Sequence, residues 1–376
     1  MFVLECLNAK FGDCLIIRYG KTNAQKLVLI DGGPAGTYKA RLKGRLRELR
    51  DQNPAGGPLP IELGMVSHID GDHITGILDL FKEVQKTQDP DERIVEFKKF
   101  WHNSLAHLVA DANVASTTAS QDVLTASLGD IVAAAADEAD HNDGRAEKII
   151  ATVKQGDDLA SLLVKLGLQE NTPFSGPVKS GRDPILLSGD LSLDVIWPDE
   201  GALSNLKTEW KAKTTAVEIA AYLDKSVANL SSIAAVVTHK GKSILLTGDA
   251  RGDDLLKGLK SAGYIKNGTC KFNVLKMPHH GSDRNMETDF LAIVLADTYV
   301  FSADGKHDNP DAATLEMLMK ARPKGGYTVV LTNKPVMETK SRQKGFDETL
   351  KKLRKQPGVE VIIRGKNNAA VEVVLA

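Results

Sequence analysis

The stretch Ser67-His68-Ile69-Asp70-Gly71-Asp72-His73 places two imidazoles and two carboxylates in seven consecutive positions, directly after an apolar segment. In an extended chain alternate side chains share a face, so His68, Asp70 and Asp72 point one way. His73 begins a predicted helix over 74–84 and turns towards a second site. Nitrogen and oxygen ligands at this spacing are typical of metal centres. The stretch therefore predicts two metal ions in one cleft.

The same stretch has a simpler interpretation, a polar turn whose acids cap a helix. Asp72 near a helix N-terminus satisfies that interpretation alone, because its carboxylate can accept from free backbone N–H groups. A helix cap does not require histidines, however. The metal-site hypothesis accounts for both histidines and both acids.

Further polar residues follow other apolar strands. Asp31 and Asp249 each come directly after one, and His279-His280-Gly281-Ser282 comes after a strand over 273–277. Ser302 ends another strand and is followed by His307. An α/β scaffold builds a rigid site by collecting side chains from several strand ends. The order of these clusters after the first one favours a shared site.

Alternating hydrophobicity and turn residues predict the elements of the fold. Strands are predicted over 2–8, 14–19, 26–30, 63–66, 94–101, 186–198, 232–238, 243–246, 273–277, 299–302, 327–332, 359–364 and 371–375. Helices are predicted over 41–50, 74–84, 130–140, 157–166, 214–225, 288–296, 311–321 and 347–355. The Ala-rich part over 104–180 is interpreted as a helical insertion in a single domain over 1–376. Strands followed by β-α alternation predict a layered α/β fold.

The bulk composition allows a large core and gives no sign of a polyanion-binding protein. The chain has 376 residues, 42% of them apolar, and a formal net charge of −1. This charge provides no whole-chain attraction to nucleic acid. Two basic segments, 41–50 and 351–355, are either local nucleic-acid contacts or solvated faces of amphipathic helices, and ordinary helix patterning favours the second interpretation.

Neither a membrane span nor a secretion signal is expected. No apolar run is long enough to cross a bilayer, and the N-terminal residues lack the basic and long apolar regions of a signal peptide. We therefore expect a cytoplasmic protein without a membrane partner. Cys6, Cys14 and Cys270 lack zinc-ligand spacing and are expected to be small buried side chains.

Taken together, these motifs resemble those of the metallo-β-lactamase superfamily, and within it the branch that contains the hydrolase domain of the ComEC competence proteins. The segments that carry the resemblance are 12–14, 29–33, 67–76, 229–232, 245–249 and 279–282. The resemblance implies a four-layer αββα sandwich with a two-metal site at one edge of its paired sheets. It covers most of the chain except the helical insertion.

The resemblance also implies ligands for two divalent cations. One metal would be held by His68 and Asp70, the other by Asp72, His73 and one of His279 and His280, with Asp249 bridging both. Asp31 would orient the cluster from behind, because outer carboxylates fix the tautomers of metal-bound imidazoles. Ser282 closes the last of these motifs.

The chain departs from the common pattern of the superfamily at two positions. Asp70 stands where many members have a histidine, as it does in the ComEC-like branch, and Asn229 stands where many have a third histidine. His102, at another strand end, either compensates for Asn229 or is a structural residue beside Trp101. The oxygen-rich ligand set raises the expectation of manganese or magnesium relative to zinc.

His307 has two interpretations of equal weight. It resembles a histidine that follows the final strands in ComEC-like sequences, close to a serine such as Ser302, where it would hydrogen-bond a substrate phosphate or act as a general acid. Alternatively, it belongs to a loop in front of Asn309-Pro310, which opens the next helix.

The resulting hypothesis is a metal-dependent phosphodiesterase, specifically a nuclease of the DNase kind. Catalysis would use Asp72, Asp249 and His307 together with a hydroxide shared by the metals. One alternative is a hydrolase of a small ester, lactone or phosphorylated metabolite, since the scaffold supports many chemistries. Another is a non-catalytic, metal-stabilised module whose insertion, around 124–139, binds a partner protein.

Overall fold

The computed structural model of the protein describes residues 1–104, 145–211, 231–286 and 288–376. The predicted helices over 130–140 and 214–225 lie outside the described residues, and so does Asn229. Of the proposed insertion, the described part contains one long helix, Arg145–Lys165. The single-domain organisation with an insertion over 104–180 stays a prediction.

The first sheet has six strands in the order β16-β1-β2-β3-β5-β7. These strands are β1 Phe2–Leu7, β2 Leu15–Lys21, β3 Ala24–Ile30, β5 Leu63–Met65, β7 Phe100–Trp101 and β16 Ala370–Val374. The first three form the antiparallel meander that the turn residues predict. β3, β5 and β7 run parallel, so their carboxyl ends lie at one edge of the sheet.

The second sheet has eight strands in sequential order. They are β8 Ile185–Leu187, β9 Leu191–Trp197, β10 Ala234–His239, β11 Lys242–Leu246, β12 Cys270–Lys276, β13 Val294–Phe301, β14 Tyr327–Leu331 and β15 Val359–Ile363. The pairs from β8 to β11 are antiparallel, and those from β11 to β15 are parallel. The carboxyl ends of five neighbouring strands therefore share an edge.

Helices cover the outer face of each sheet. They are α1 Lys43–Asp51, α2 Gly71–Lys86, α3 Arg145–Lys165, α4 Glu200–Lys211, α5 Gly252–Ser261, α6 Thr288–Ile293, α7 Ala312–Ala321 and α8 Lys340–Lys355. One apolar cluster packs α1, α2 and α3 on the first sheet, and another packs α5 to α8 on the second. In the part of the chain that the structure describes, no helix has the length and apolar character needed to cross a bilayer.

A third apolar cluster lies between the two sheets. Phe2, Leu4 and Ile17 of the first sheet pack there with Ile244 and Val274 of the second. Alternate side chains of each strand thus face the middle layer, while the others face the helices. The chain is a four-layer αββα sandwich, and the predicted fold class is confirmed.

The predicted strand over 94–101 is wrong in one respect. It divides into β6 Val95–Phe97, which pairs with β4 Leu59–Ile61 in a separate two-stranded sheet, and β7, which joins the first sheet. The chain bends at Lys98, whose Nζ lies 2.7 Å from the Glu62 carboxylate. Periodicity along one segment carries no information about such a change of sheet.

The helix predictions need four corrections. The amphipathic α5 and the helix α4 were not predicted, and α8 begins seven residues before the predicted 347. The helix predicted over 288–296 ends at Ile293, where β13 begins. Residues 294–296 pair in parallel with β12, and this tertiary pairing overrides the helical preference of an Ala-containing segment.

We expect Gly76→Ala to destabilise the fold by about 1–3 kcal/mol, because it overpacks the contact between α2 and the end of β3. A Cβ at Gly76 would lie 1.9 Å from the Gly32 carbonyl oxygen. The control is Gly44→Ala on α1, where an added Cβ meets nothing within 4 Å. It should stabilise slightly, since Ala has the higher helix propensity. Urea unfolding of both variants measures the difference, and equal effects would contradict the close approach.

Candidate metal centre

The centre lies where the carboxyl ends of strands from both sheets meet. Asp31 follows β3, and the segment over 67–73 follows β5. Asp249 follows β11, the His279-His280 pair follows β12, and Ser302 follows β13. Backbone hydrogen bonds join the two sheets at this point, since the Ile233 N–H donates to the Ser67 carbonyl over 2.8 Å. The strand-end residues selected from the sequence therefore converge on one edge of the sandwich.

The acids of the first motif do not serve as helix caps. Asp70 occupies the N-cap position of α2 with an extended backbone, but its side chain makes no capping hydrogen bond. Its Oδ2 instead lies 3.8 Å from His68 Nε2. Asp72, in the first turn, places its Oδ2 3.4 Å from His280 Nε2. The carboxylates face the histidines, as the metal-site hypothesis expects.

Asp31 and Ser67 set the tautomers of His73 and His68. The Ser67 hydroxyl donates to Asp31 Oδ2 over 2.7 Å, so its oxygen is left to accept from His68 Nδ1 at 3.2 Å. His73 Nδ1 lies 2.9 Å from Asp31 Oδ2 and donates to it, because an ionised carboxylate only accepts. Both rings, when neutral, therefore carry their lone pair on Nε2.

A backbone carbonyl fixes His280 in the same way. Its Nδ1 lies 2.9 Å from the Ser302 carbonyl oxygen, which can only accept, so Nδ1 carries the proton. The Nε2 atoms of His280 and His73 then face each other at 3.2 Å. Two lone pairs at this distance repel unless a proton or a cation lies close to both.

Asp249 lies at the centre of the histidines. Its Oδ2 is 3.8 Å from His68 Nε2, 3.6 Å from His279 Nε2 and 3.5 Å from His280 Nε2, and its Oδ1 is 3.4 Å from His73 Nε2. Its backbone N–H donates to Ser232 Oγ over 2.9 Å, which holds the turn in place. This central position is where a carboxylate shared by two cations would lie.

The adjacent histidines 279 and 280 lie differently. His280 is buried and groups with His73 and Asp72, whereas the His279 side chain is 31% exposed and approaches Asp249. Both have a left-handed backbone, with φ of 44° and 56°. Non-glycine residues pay about 1–3 kcal/mol for such strain, which is commonly found at functional sites. The geometry thus favours His280 as the partner of Asp72 and His73.

The donors present fit a divalent cation. Among the described residues, the buried atoms His68 Nε2 and Asp249 Oδ1 have no hydrogen-bond partner. Buried polar atoms in native proteins are normally satisfied, so such atoms call for an unrepresented partner. Two groups of His and Asp side chains bring their ligand atoms within 4.8 Å of one another, and their members are Asp13, His68, Asp72, His73, Asp249 and His280. Imidazole nitrogens and carboxylate oxygens suit zinc, manganese and, with more oxygen, magnesium.

Without a cation, the acids of the cluster draw protons onto two of the rings. Burial alone would lower the pKa of His280, but Asp249 and Asp13 outweigh it and raise that pKa to about 10. His73 behaves alike, since Asp249 and Asp31 raise its pKa well above the ordinary value against the effect of burial. Burial, and then the charge on His73, lowers the pKa of His68 to about 4. The acids of the cluster therefore stabilise positive charge at His73 and His280.

A buried ion pair lies behind the rings, and neither of its residues is among the predicted site residues. Lys276 Nζ lies 2.6 Å from Asp13 Oδ2, and both side chains are only 1% exposed. Asp13 Oδ1 lies 3.5 Å from His280 Nδ1. Against the cost of burial, Lys276 holds the pKa of Asp13 below its usual range. The available signal was a lysine at the end of the apolar strand β12, since a buried lysine requires an acidic partner.

Three other predicted residues lie at or outside the edge of the cluster. His102 is buried, and its Nε2 forms a hydrogen bond of 3.1 Å with the Glu170 carboxylate. This contact favours the interpretation of His102 as a structural residue. Ser282 is buried, and its N–H donates to the His279 carbonyl. His307 is exposed, with its ring edge-on to Phe11 at 5.7 Å. Asn229 lies outside the described residues.

Comparison with solved structures finds matches over the whole length of the chain. The metallo-beta-lactamase fold protein YhfI from Bacillus subtilis has 12% identity and a TM-score of 0.44, covering 99% of this chain and 100% of YhfI. Zn(2+)-bound PqqB from Methylobacterium extorquens has 10% identity and a TM-score of 0.39, with 100% of both chains covered. These likenesses are weak, and the fold described above rests on the layers of the chain itself. No family model matches the chain, and no curated protein gives a significant match.

We expect Lys276→Met to destabilise the protein by roughly 3–5 kcal/mol, because it leaves Asp13 buried without a counter-charge. The matched control is Lys271→Met on the same strand, whose Nζ pairs with Asp297 at 2.7 Å while the side chain is 61% exposed. An exposed pair contributes at most about 1 kcal/mol. Thermal and urea unfolding compare the two variants. Similar losses of stability in the two variants would show that the buried pair stabilises the fold no more than the exposed pair.

The chelator-treated protein should be most stable near pH 6.5. His68 has a pKa of about 4 in the folded protein and about 6.5 in the unfolded chain, so its contribution to stability is lost as the pH falls from 6.5 to 4. His280, with a pKa of about 10 when folded, loses its contribution as the pH rises from 6.5 to 10. Melting temperatures at pH 5, 6.5 and 9 test this. A melting temperature that rises steadily up to pH 9 would contradict the charge on His280.

Proposed function

We propose that this protein is a metal-dependent phosphodiesterase that cleaves nucleic acid, DNA in particular. The observation that carries the proposal is the convergence of the His73 and His280 Nε2 atoms, 3.2 Å apart, beside the Asp249 carboxylate. Such an arrangement suits cation binding and has no use in a purely structural core. The resemblance of the motifs to the ComEC-like branch supports the nuclease activity.

The chain's own residues would hold two divalent cations. His68 and Asp70 would serve one, Asp72, His73 and His280 the other, and Asp249 both, with His279 able to approach from the exposed side. Bound cations supply Lewis acidity towards a phosphoryl oxygen and make an attacking water acidic near neutral pH. The oxygen-rich side at Asp70 favours manganese or magnesium, and the histidine-rich side accepts zinc.

Three side chains beside the cluster, Ser67, Ser302 and Cys14, are poorly suited to act as nucleophiles. The Ser67 hydroxyl donates to Asp31, and the Ser302 hydroxyl donates to the Gly12 carbonyl over 2.8 Å. Burial raises the pKa of the Cys14 thiol well above its usual value, which disfavours the thiolate. Hydrolysis would therefore use water, without a covalent intermediate on the protein.

The open side of the cluster suits an anionic substrate. The side chains of Asp70, Asp72 and His279 are about a quarter to a third exposed, so this side admits a ligand. The carboxylates repel phosphate until cations neutralise them, which links substrate binding to metal binding. His307 and the neighbouring Lys306 are exposed beside Phe11, where they can donate to phosphate oxygens.

The test is cleavage of linear DNA and of RNA by purified protein with manganese, magnesium or zinc. We expect Asp249→Asn to lower the rate at least ~100-fold, because it removes the charge shared by both metal positions. Chelation should abolish cleavage, and added metal should restore it. The control is Asp253→Asn, an exposed acid paired with Arg251 outside the cluster. Nucleic-acid cleavage no greater than that of Asp249→Asn, or turnover of ester and lactone substrates alone, would overturn the proposal.

A further inference from the structure

A long groove borders the segments that lead into the metal centre. It has a volume of about 1340 Å³ and lies between α8, the loop over 333–338 and the segments around Lys10 and Lys306. Eight basic side chains line it, namely Lys10, Lys306, Lys334, Lys351, Arg354, Lys355, Arg364 and Lys366. Only three acidic side chains do so, Asp304, Glu338 and Asp347. The groove therefore carries an excess of five positive charges in a chain whose net charge is −1.

These positive charges are not neutralised within the described part of the protein. No ion pair within 4.0 Å is found there for any of the eight basic residues. Seven of them are exposed, whereas Arg364 is buried and donates to the Thr332 carbonyl and to Asn333. The acids of the groove are engaged otherwise, since Asp304 accepts from the Lys306 N–H and Glu338 accepts from the His307 N–H. Unpaired cations spaced along a groove attract a polymer of negative charges more than a single small anion.

The other basic helix of the chain provides the contrast. On α1, Lys43 pairs with Glu83 at 2.6 Å, and Arg45 pairs with the buried Glu5 at 2.6 Å. Arg47 lies 3.9 Å from Glu83. On α8, Arg342 pairs with Asp308 and Lys352 with Glu316. The face of α8 towards the groove differs from α1, because no ion pair of Lys351, Arg354 or Lys355 is found in the described part of the protein.

The floor of the groove is apolar. Phe346, Leu350, Ile363 and Val336 line it. Phe346 and Leu350 expose only a small edge, whereas Val336 is 69% exposed. A groove with basic walls and an apolar floor fits a single strand of nucleic acid, whose phosphates contact the cations while sugars and bases cover the floor. A fully charged polymer without apolar groups would leave this floor uncovered.

The groove is connected to the metal centre through two short segments. Lys10 leads through Phe11 and Gly12 to Asp13, and Lys306 lies four residues beyond Ser302, whose carbonyl holds His280. Lys306 Nζ sits 3.9 Å from the centre of the Phe11 ring, which joins the two segments at the surface. A strand in the groove would therefore approach the centre past Phe11 and His307.

We propose that this groove binds the phosphate backbone of a single strand of nucleic acid and directs it to the metal centre. That the strand is then cleaved at the metal centre rests on the function proposed above, whereas binding of the strand in the groove is testable without catalysis. The groove is formed by α8 and the two connecting segments, so it extends the substrate site well beyond the residues around Asp249.

The binding test uses chelator-treated full-length protein and a fluorescent 20-nucleotide single strand, followed by anisotropy at several salt concentrations. We expect Lys351→Gln/Arg354→Gln/Lys355→Gln to weaken binding at least 10-fold. Loss of three phosphate contacts should reduce the slope of log K against log salt by about 2. The control, Lys43→Gln/Arg47→Gln/Arg50→Gln on α1, should bind within about two-fold of the unmodified protein, because those charges are already paired.

Three results would overturn the proposal that the groove binds a single strand. One is absence of binding by the unmodified protein, and another is equal weakening by both triple variants. The third is displacement of the strand by a poly-glutamate peptide or by anionic vesicles at matched charge, which would assign the groove to another polyanion. Unchanged melting temperatures of both variants establish that the comparison concerns charge and not folding.

A second measurement separates the groove from the catalytic proposal. With metal present, the α8 triple variant should raise KM for a long single strand while leaving kcat/KM for bis(p-nitrophenyl) phosphate unchanged, since that small diester spans only the centre. Binding without any cleavage would support the groove and overturn the nuclease. Cleavage that depends on Asp249 but is insensitive to the α8 variant would overturn the groove and support the nuclease.

Discussion

The close approach of His73 and His280 is the constraint on which the site depends. Each ring has its Nδ1 engaged, by Asp31 and by the Ser302 carbonyl, so each directs Nε2 at the other across 3.2 Å. Positive charge between or on the rings is then required, and Asp249 stabilises it from 3.4–3.5 Å. A structural core would avoid this arrangement, because buried charges are costly to maintain.

The two sheets serve to hold these groups in place. Their edges are tied by the hydrogen bond from the Ile233 N–H to the Ser67 carbonyl and by that from the Ser302 hydroxyl to the Gly12 carbonyl. The left-handed backbone at Asp31, with φ of 56°, and at His279 and His280 costs energy that the surrounding packing must offset. Behind the rings, the Lys276–Asp13 pair keeps a second carboxylate ionised in the core. The groups of the cluster are therefore held by partners of their own before any cation binds, which lowers the reorganisation that cation binding would need.

Charge pairing distinguishes surfaces that look alike in the sequence. The basic helices α1 and α8 have similar patterns, yet the acids that lie against α1 come from Glu5 and Glu83, far away in the chain. The basic side chains that line the groove along α8 make no such ion pairs in the described structure, although three acids also line that groove. A local excess of unpaired positive charge of this kind would let a protein with no net positive charge bind a polyanion, as proposed above.

The sequence by itself determined the strand ends, most helices and the side chains that gather at the edge, because these follow from short-range periodicity and from residue chemistry. It placed His68, Asp72 and Asp249 correctly at strand and helix ends. Only the tertiary structure decided that His280 and not His279 joins His73, and that Asp13 pairs with Lys276. It also split the predicted strand over 94–101 between two sheets, and it divided the predicted strand over 186–198 into the antiparallel pair β8 and β9. The physical reason is that tautomers, ion pairs and sheet membership depend on partners distant in the chain, and local sequence carries no record of them.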